Sequence, residues 1–292
     1  MSRHIDFSGV WIPLVTPFRE GRIDHDALGA LVRRLDADGV AGFVVCATTG
    51  EAPLLSDDER IAVLGTVKAN TALPLIMGAS ATTADDVLRR MAAAMRHAPT
   101  AFLVTPPPYL RPSQDGLKTF FTTIADASPA PLVVYDIPAR TGVRIELATL
   151  LALAAHPDIV ALKDCGGRVE QTEAVIADGR LQVLCGNDNE WFSTRCLGGA
   201  GAIAASAHVR TDLFVAFDKA LARGDLVAGR ALWRPLKPIT VGLFEEPSPG
   251  PVKALLAARG ECENELRAPM TGASPGLTER LRALVTALPA KA

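Results

Sequence analysis

Aromatic residues make up only 5% of this 292-residue chain, and just two of them are tyrosines. A core with so little aromatic bulk has to be built from Ala, Val, Leu and Ile, the composition of layered α/β folds. No sign of charge dominates: 30 basic residues face 32 acidic ones, a formal net charge of −2. That balance excludes strong recruitment of nucleic acid or of an anionic membrane surface and leaves small molecules as the expected partners. The cysteines (Cys46, Cys165, Cys185, Cys196 and Cys262) are scattered, odd in number and free of any C-x-x-C pair. They read as reduced thiols, small buried hydrophobes of a cytoplasmic protein, rather than a disulfide framework. Met1-Ser2-Arg3-His4-Ile5-Asp6 has no apolar signal core, and no run approaches the roughly 18 apolar residues of a membrane span. The histidines (His4, His25, His97, His156 and His208) show no spacing such as H-x-x-x-H, so no metal is expected.

What the chain does have is a regular alternation. Short apolar runs recur at Val10 to Val15, Gly42 to Val45, Leu75 to Met77, Ala101 to Val104, Leu132 to Asp136, Ile159 to Leu162, Leu181 to Cys185 and Ala202 to Ala205. Helical periodicity lies between them, as at Leu28, Leu31, Val32 and Leu35, and Ser56-Asp57-Asp58-Glu59 reads as a capping box, with Thr82 and Ser113 at N-cap positions. Alternating strands and helices imply a parallel sheet with right-handed crossovers, and eight such units close into a (β/α)₈ TIM barrel. An open doubly wound sheet would place a phosphate-binding glycine turn after its first strand, and none occurs there. Gly199 to Ala204 matches a dinucleotide fingerprint formally, but it precedes a strand, so no phosphate cradle is expected. From about Asp212 onward only helices are read, at Leu226 to Leu236, Pro251 to Arg259 and Gly276 to Leu288. The expected organisation is a barrel domain over residues 1–224 with a C-terminal helical appendage over 225–292.

Barrel enzymes build their sites at the C-terminal ends of the strands. The sixth run ends there in Lys163, followed by Asp164-Cys165-Gly166-Gly167. A lysine at a strand end can snorkel, burying its stem with its head in water. A desolvated one loses its proton and becomes a nucleophile able to form a Schiff base with a carbonyl. The second run ends in Ala47-Thr48-Thr49-Gly50-Glu51, whose hydroxyls and backbone N–H groups suit a carboxylate and equally suit plain turn chemistry. The fifth carries Tyr135-Asp136 before Pro138-Ala139-Arg140-Thr141-Gly142.

These segments resemble the pyruvate-dependent class I aldolases of the dihydrodipicolinate synthase and N-acetylneuraminate lyase family. The resemblance also takes in Thr16-Pro17, Arg111-Pro112-Ser113-Gln114, Gly186 before Asn187-Asp188, and Glu246-Pro247 through to Lys253, and so spans nearly the whole chain. The synthase branch fits best, because Pro-x-Arg-Thr-Gly after the strand tyrosine is a feature that sugar-acid branches tend not to keep.

The resemblance implies that pyruvate forms a covalent imine on Lys163, with no other cofactor and no metal. It implies that Thr48 and Thr49 hold the pyruvate carboxylate and that Tyr135, Thr48 and Tyr109 relay protons. Tyr109 is expected to reach in from a neighbouring subunit, which requires a homodimer or homotetramer. Arg140 would grip the carboxylate of L-aspartate 4-semialdehyde through a bidentate fork, and Gly186 and Ile203 would line the substrate. Other readings stay open: a related aldolase, dehydratase or deaminase for another 2-keto acid, or a non-catalytic ligand-binding barrel. Asp136, Ala47 and Ala204 stand where the synthases usually carry asparagine, glycine and serine. Pro108, Asp57 and Arg60 occupy the places of the feedback-site residues of some synthases, so weak or absent inhibition by lysine is expected.

Overall fold

A computed structural model of the chain describes residues 5–289; Met1 to His4, and with them one of the histidines, lie outside the described residues, as do 290–292. The eight apolar runs form strands β1 (Gly9–Pro13), β2 (Gly42–Val45), β3 (Leu75–Gly78), β4 (Ala101–Val104), β5 (Leu132–Asp136), β6 (Ile159–Asp164), β7 (Gln182–Cys185) and β8 (Gly201–Ile203). They form a closed barrel in the order β1-β8-β7-β6-β5-β4-β3-β2. Almost every strand residue is buried, which is why the strands read as continuous apolar runs and not as alternating ones.

The chain divides into two compact units. One comprises the residues up to Ser8 and Pro74–Ile203, and holds β3 to β8. Within it Tyr135 and Asp136 of β5 pair with Lys163 and Asp164 of β6, and these pair in turn with Leu184 and Cys185 of β7. Three consecutive strands thereby set their last residues side by side. Gly199, in the stretch that mimics a dinucleotide motif, has a packing role: a Cβ there would lie 2.7 Å from the Thr194 methyl and 2.8 Å from its carbonyl oxygen.

The other unit comprises Gly9–Leu73 and Ala204–Ala292. In it β1 pairs with β2 through Trp11↔Gly42, Ile12↔Phe43 and Pro13↔Val44. Helix Thr211–Ala222 packs on helix Leu226–Gly242, with Phe217 and Trp233 stacked at 5.0 Å between centroids. His208 is fully buried; its Nε2 accepts from the Val15 N–H at 3.3 Å, so its Nδ1–H is the donor to Ala205 O at 2.9 Å. Burial holds that imidazole's pKa down at about 4, and it is a neutral clamp.

Local signals hold with two corrections. Ser56 forms the capping box with Glu59, and Ser113 caps helix Gln114–Ala127, but the cap of helix Ala84–Ala94 is Thr83 and not Thr82. Thr83 is the hydroxyl three residues before Asp86, whose N–H it accepts at 3.2 Å. Helix Leu226–Gly242 continues past Leu236 through Pro235 and Pro238, because its buried face, Trp233, Leu236, Ile239 and Thr240, extends beyond both prolines. A two-residue hairpin, Phe18–Arg19 with Arg22–Ile23, is also present.

Candidate active site

Lys163 sits next to last in β6 with its side chain 4% exposed. Its Nζ lies 4.2 Å from the centroid of the Tyr135 ring, on the strand beside it. Among the described residues no hydrogen bond or ion pair reaches that nitrogen to offset its desolvation, and the Tyr135 ring face does so only weakly. Burial accordingly pushes the lysine pKa down, opposed more weakly by the nearby Asp188 carboxylate. An amine in that state is available as a nucleophile.

The surroundings shape the amine further. Cys165 donates its thiol toward Tyr135 Oη at 3.9 Å, and burial pushes that thiol up to about 12, keeping it protonated. Gly186 follows β7, and a Cβ there would collide with the Cys165 sulfur and lie 3.0 Å from Cγ and Cε of Lys163. The missing side chain is what gives the lysine stem its channel. Ile203 ends β8, buried, one residue past the Ala202↔Cys185 pair.

Asp136 and Asp164 form the next register pair along β5 and β6. Asp164 is satisfied by the Gly166 N–H at 2.7 Å and the Thr172 hydroxyl at 2.5 Å. Asp136 accepts only from the Ile145 N–H at 3.2 Å, and its Oδ2 has no hydrogen-bond partner among the described residues. Burial pushes its pKa from 3.8 to about 6, with the repulsion of Asp164 adding to the rise. Arg140 projects, exposed, from the short helix Pro138–Thr141 and makes no ion pair among the described residues. Tyr109 is 93% exposed with a left-handed φ of 74°, in the loop whose Arg111 donates Nε–H to Gly142 O at 3.1 Å. That bond ties the tyrosine's loop to the turn bearing Arg140.

Thr48 and Thr49 belong to the other compact unit, in a one-turn 3₁₀ helix, Thr48–Gly50, after β2. The Thr16 hydroxyl donates to Gly50 O at 2.8 Å, and a Cβ at Gly50 would stand 2.9 Å from Leu14 O, so this position needs glycine. Non-glycine residues in the left-handed region, Cys46 and Glu51, both with φ 54°, flank the turn. Such strain persists only where the surroundings over-determine the backbone. Ala47 is extended, with φ −97° and ψ −166°, so replacing a customary glycine there carries no conformational penalty.

Sequence reasoning singled out Lys163, Tyr135 and Gly186, which the fold brings together, but missed Cys165 and the buried Asp188 beside them. Asp188 was visible as a carboxylate just past the end of β7. Gln114, noted only as the end of the Arg111-Pro112-Ser113-Gln114 motif, proves to be a brace: its amide donates to Arg144 O at 2.8 Å while its Oε1 accepts from Glu146 N and the Thr149 hydroxyl. No cluster of three His, Cys, Asp or Glu side chains suited to a metal occurs among the described residues, and no helix among them is long and apolar enough to cross a membrane.

Comparison with known proteins shows the family to which the chain belongs. The model of the dihydrodipicolinate synthetase family matches residues 6–288. A 4-hydroxy-tetrahydrodipicolinate synthase of Limosilactobacillus fermentum is 40% identical over 263 residues, 88% of this chain and 84% of the relative. The crystal structure of dihydrodipicolinate synthase from Thermotoga maritima superposes with a TM-score of 0.93 at 31% identity, covering 97% of this chain and 98% of that one. The chloride-inhibited synthase of Acinetobacter baumannii, crystallised with pyruvate, gives a TM-score of 0.92 at 30% identity over 96% of this chain and 98% of its own.

Proposed function

This chain belongs to the dihydrodipicolinate synthetase family, and from that premise we propose that Lys163 is the amine through which it works. The reaction is the lyase-type joining of pyruvate to L-aspartate 4-semialdehyde, giving 4-hydroxy-tetrahydrodipicolinate for diaminopimelate and lysine biosynthesis, by the Schiff-base chemistry of class I aldolases. The observation that carries the assignment is a buried, unpaired Nζ held against the Tyr135 ring.

On this reading Thr48 and Thr49 bind the pyruvate carboxylate while the neutral Lys163 amine attacks C2. Loss of water from the resulting carbinolamine gives the imine. The iminium draws electrons from C3, a C3 proton leaves, and the enamine adds to the aldehyde carbon of the semialdehyde. Tyr135 takes and returns protons, passing them by way of Thr48 to Tyr109 of a second copy, and Arg140 holds the carboxylate of the semialdehyde. The substrate's own amine then attacks C2 and displaces Lys163, so that one water is released overall. Gly186 and Ile203 leave room at the reacting end. The imine is the only covalent carrier in this scheme; no cofactor or metal takes part. The exposed, strained Tyr109 suits a homodimer or homotetramer, the cytoplasm is the proposed compartment, residues 1–224 are the catalytic barrel with 225–292 as its helical appendage, and lysine inhibits weakly or not at all.

Borohydride reduction in the presence of pyruvate, followed by peptide mass mapping, tests the assignment. A pyruvate-sized adduct on Lys163, together with turnover of aspartate semialdehyde, is expected. An adduct on another lysine, or none, overturns it.

A further inference from the structure

Glu51 directly follows the turn that bears Thr48 and Thr49, and its side chain is withdrawn from solvent and satisfied on both oxygens. Lys253 Nζ donates to Oε1 at 2.5 Å, and the Arg267 backbone N–H donates to Oε2 at 3.0 Å. Lys253 is itself wholly buried; it also donates to Glu265 O at 2.7 Å and lies 4.2 Å from the centroid of the Phe18 ring. The Arg267 guanidinium covers the same ring at 4.6 Å and binds Leu54 O and both oxygens of Glu59. The Glu51 backbone N–H donates to Thr48 O at 3.1 Å and so closes the turn. On the other flank Thr16, two residues before Phe18, holds Gly50 O.

An ion pair this deeply buried is poorly explained by stability, since an apolar pair of similar volume often does as well. What it supplies that an apolar pair cannot is directed bonds, which hold Glu51 in its left-handed conformation. We propose that Glu51, clamped by Lys253, is a positioning residue for pyruvate recognition: it fixes the backbone of the 48–50 turn and does not touch the substrate. The inference rests on the reading above in which that turn holds the pyruvate carboxylate.

The test compares Glu51→Gln with Thr49→Val, following steady-state turnover and, independently, the pyruvate concentration that half-saturates borohydride trapping on Lys163. Glu51→Gln should raise both the trapping midpoint and the pyruvate KM by about ten- to a hundredfold, the scale of a roughly 1 Å misplacement. Its kcat at saturating pyruvate and its KM for aspartate semialdehyde should stay within about threefold of wild type. Should Glu51→Gln fail to fold, Glu51→Gln with Lys253→Met, which strands no buried charge, is measured by the same criterion. Unchanged pyruvate dependence in a folded variant overturns the proposal, and so does a parallel loss in kcat and both KM values. If Thr49→Val shifts the midpoint and Glu51→Gln does not, the positioning role alone fails. If neither shifts it, the carboxylate assignment fails as well.

Discussion

Lys163 and Lys253 are both buried, and each holds its Nζ 4.2 Å from an aromatic centroid, Tyr135 in one case and Phe18 in the other. Their fates differ because of what else is within reach. Lys253 has a carboxylate at 2.5 Å and a carbonyl at 2.7 Å; Lys163 has no hydrogen bond or ion pair among the described residues. Burial pushes both amines' pKa down; at Lys253 the hydrogen bond and charge of Glu51 oppose that shift directly, and at Lys163 no such bond does. Burial alone therefore does not define a catalytic lysine.

Methionine at each position gives the sharpest contrast. Lys163→Met should abolish turnover and pyruvate trapping, because no other nucleophile replaces it, with stability unchanged or raised once a desolvated amine is gone. Lys253→Met strands Glu51 as a buried charge and should cost about 3–5 kcal/mol in urea denaturation, while a folded fraction still traps pyruvate on Lys163. A Lys253 variant of wild-type stability would break the contrast.

Asp136 extends the comparison to a carboxylate, buried with one oxygen unpartnered. Its pKa is raised on folding, so between pH 3.8 and about 6 the native state keeps a proton that the unfolded chain has lost, and stability falls as pH rises through that window. Asp136→Asn should remove this fall and stabilise the protein at pH 7 by roughly 2–3 kcal/mol, with the gain vanishing toward pH 4. The Asn carbonyl can still accept from Ile145. Denaturation curves at pH 4, 5, 6 and 7 check this, and a gain independent of pH would remove titration as the cause.

Arg140 is the exposed counterpart of these groups, a charge that costs little to keep and is free for a ligand. Arg140→Ala should lower kcat/KM for aspartate semialdehyde by about 10- to 100-fold, the scale of one lost charge-assisted interaction. The pyruvate trapping midpoint should barely move; equal losses for both substrates would tell against a semialdehyde-binding role.

The strands were legible because a strand buried on both faces writes an unbroken apolar run, and a lysine ending such a run, as Lys163 ends Ile159 to Leu162, stands out. The Glu51–Lys253 pair was not, since its members are 202 residues apart and each alone looks like a surface charge. The Cys165 thiol beside Tyr135 escaped for a related reason: only register brings β5 and the end of β6 together. The hairpin at Phe18 to Ile23 was too short to show a period, and the helix expected to end at Leu236 runs on because its buried face continues through Ile239 and Thr240.

Ala47 separates the strained parts of the 46–51 segment from its unstrained part. Cys46 and Glu51 occupy the left-handed region, where the segment depends on its supports, but Ala47 is extended, a conformation any residue adopts. Restoring glycine at Ala47 therefore relieves nothing in the folded state and only widens the unfolded ensemble. Ala47→Gly should lower stability by about 0.4–1 kcal/mol with the pyruvate KM unchanged. A drop in KM would mean that the Ala47 methyl crowds the bound carboxylate, and the departure from glycine would then be a determinant of substrate affinity and not a neutral exchange.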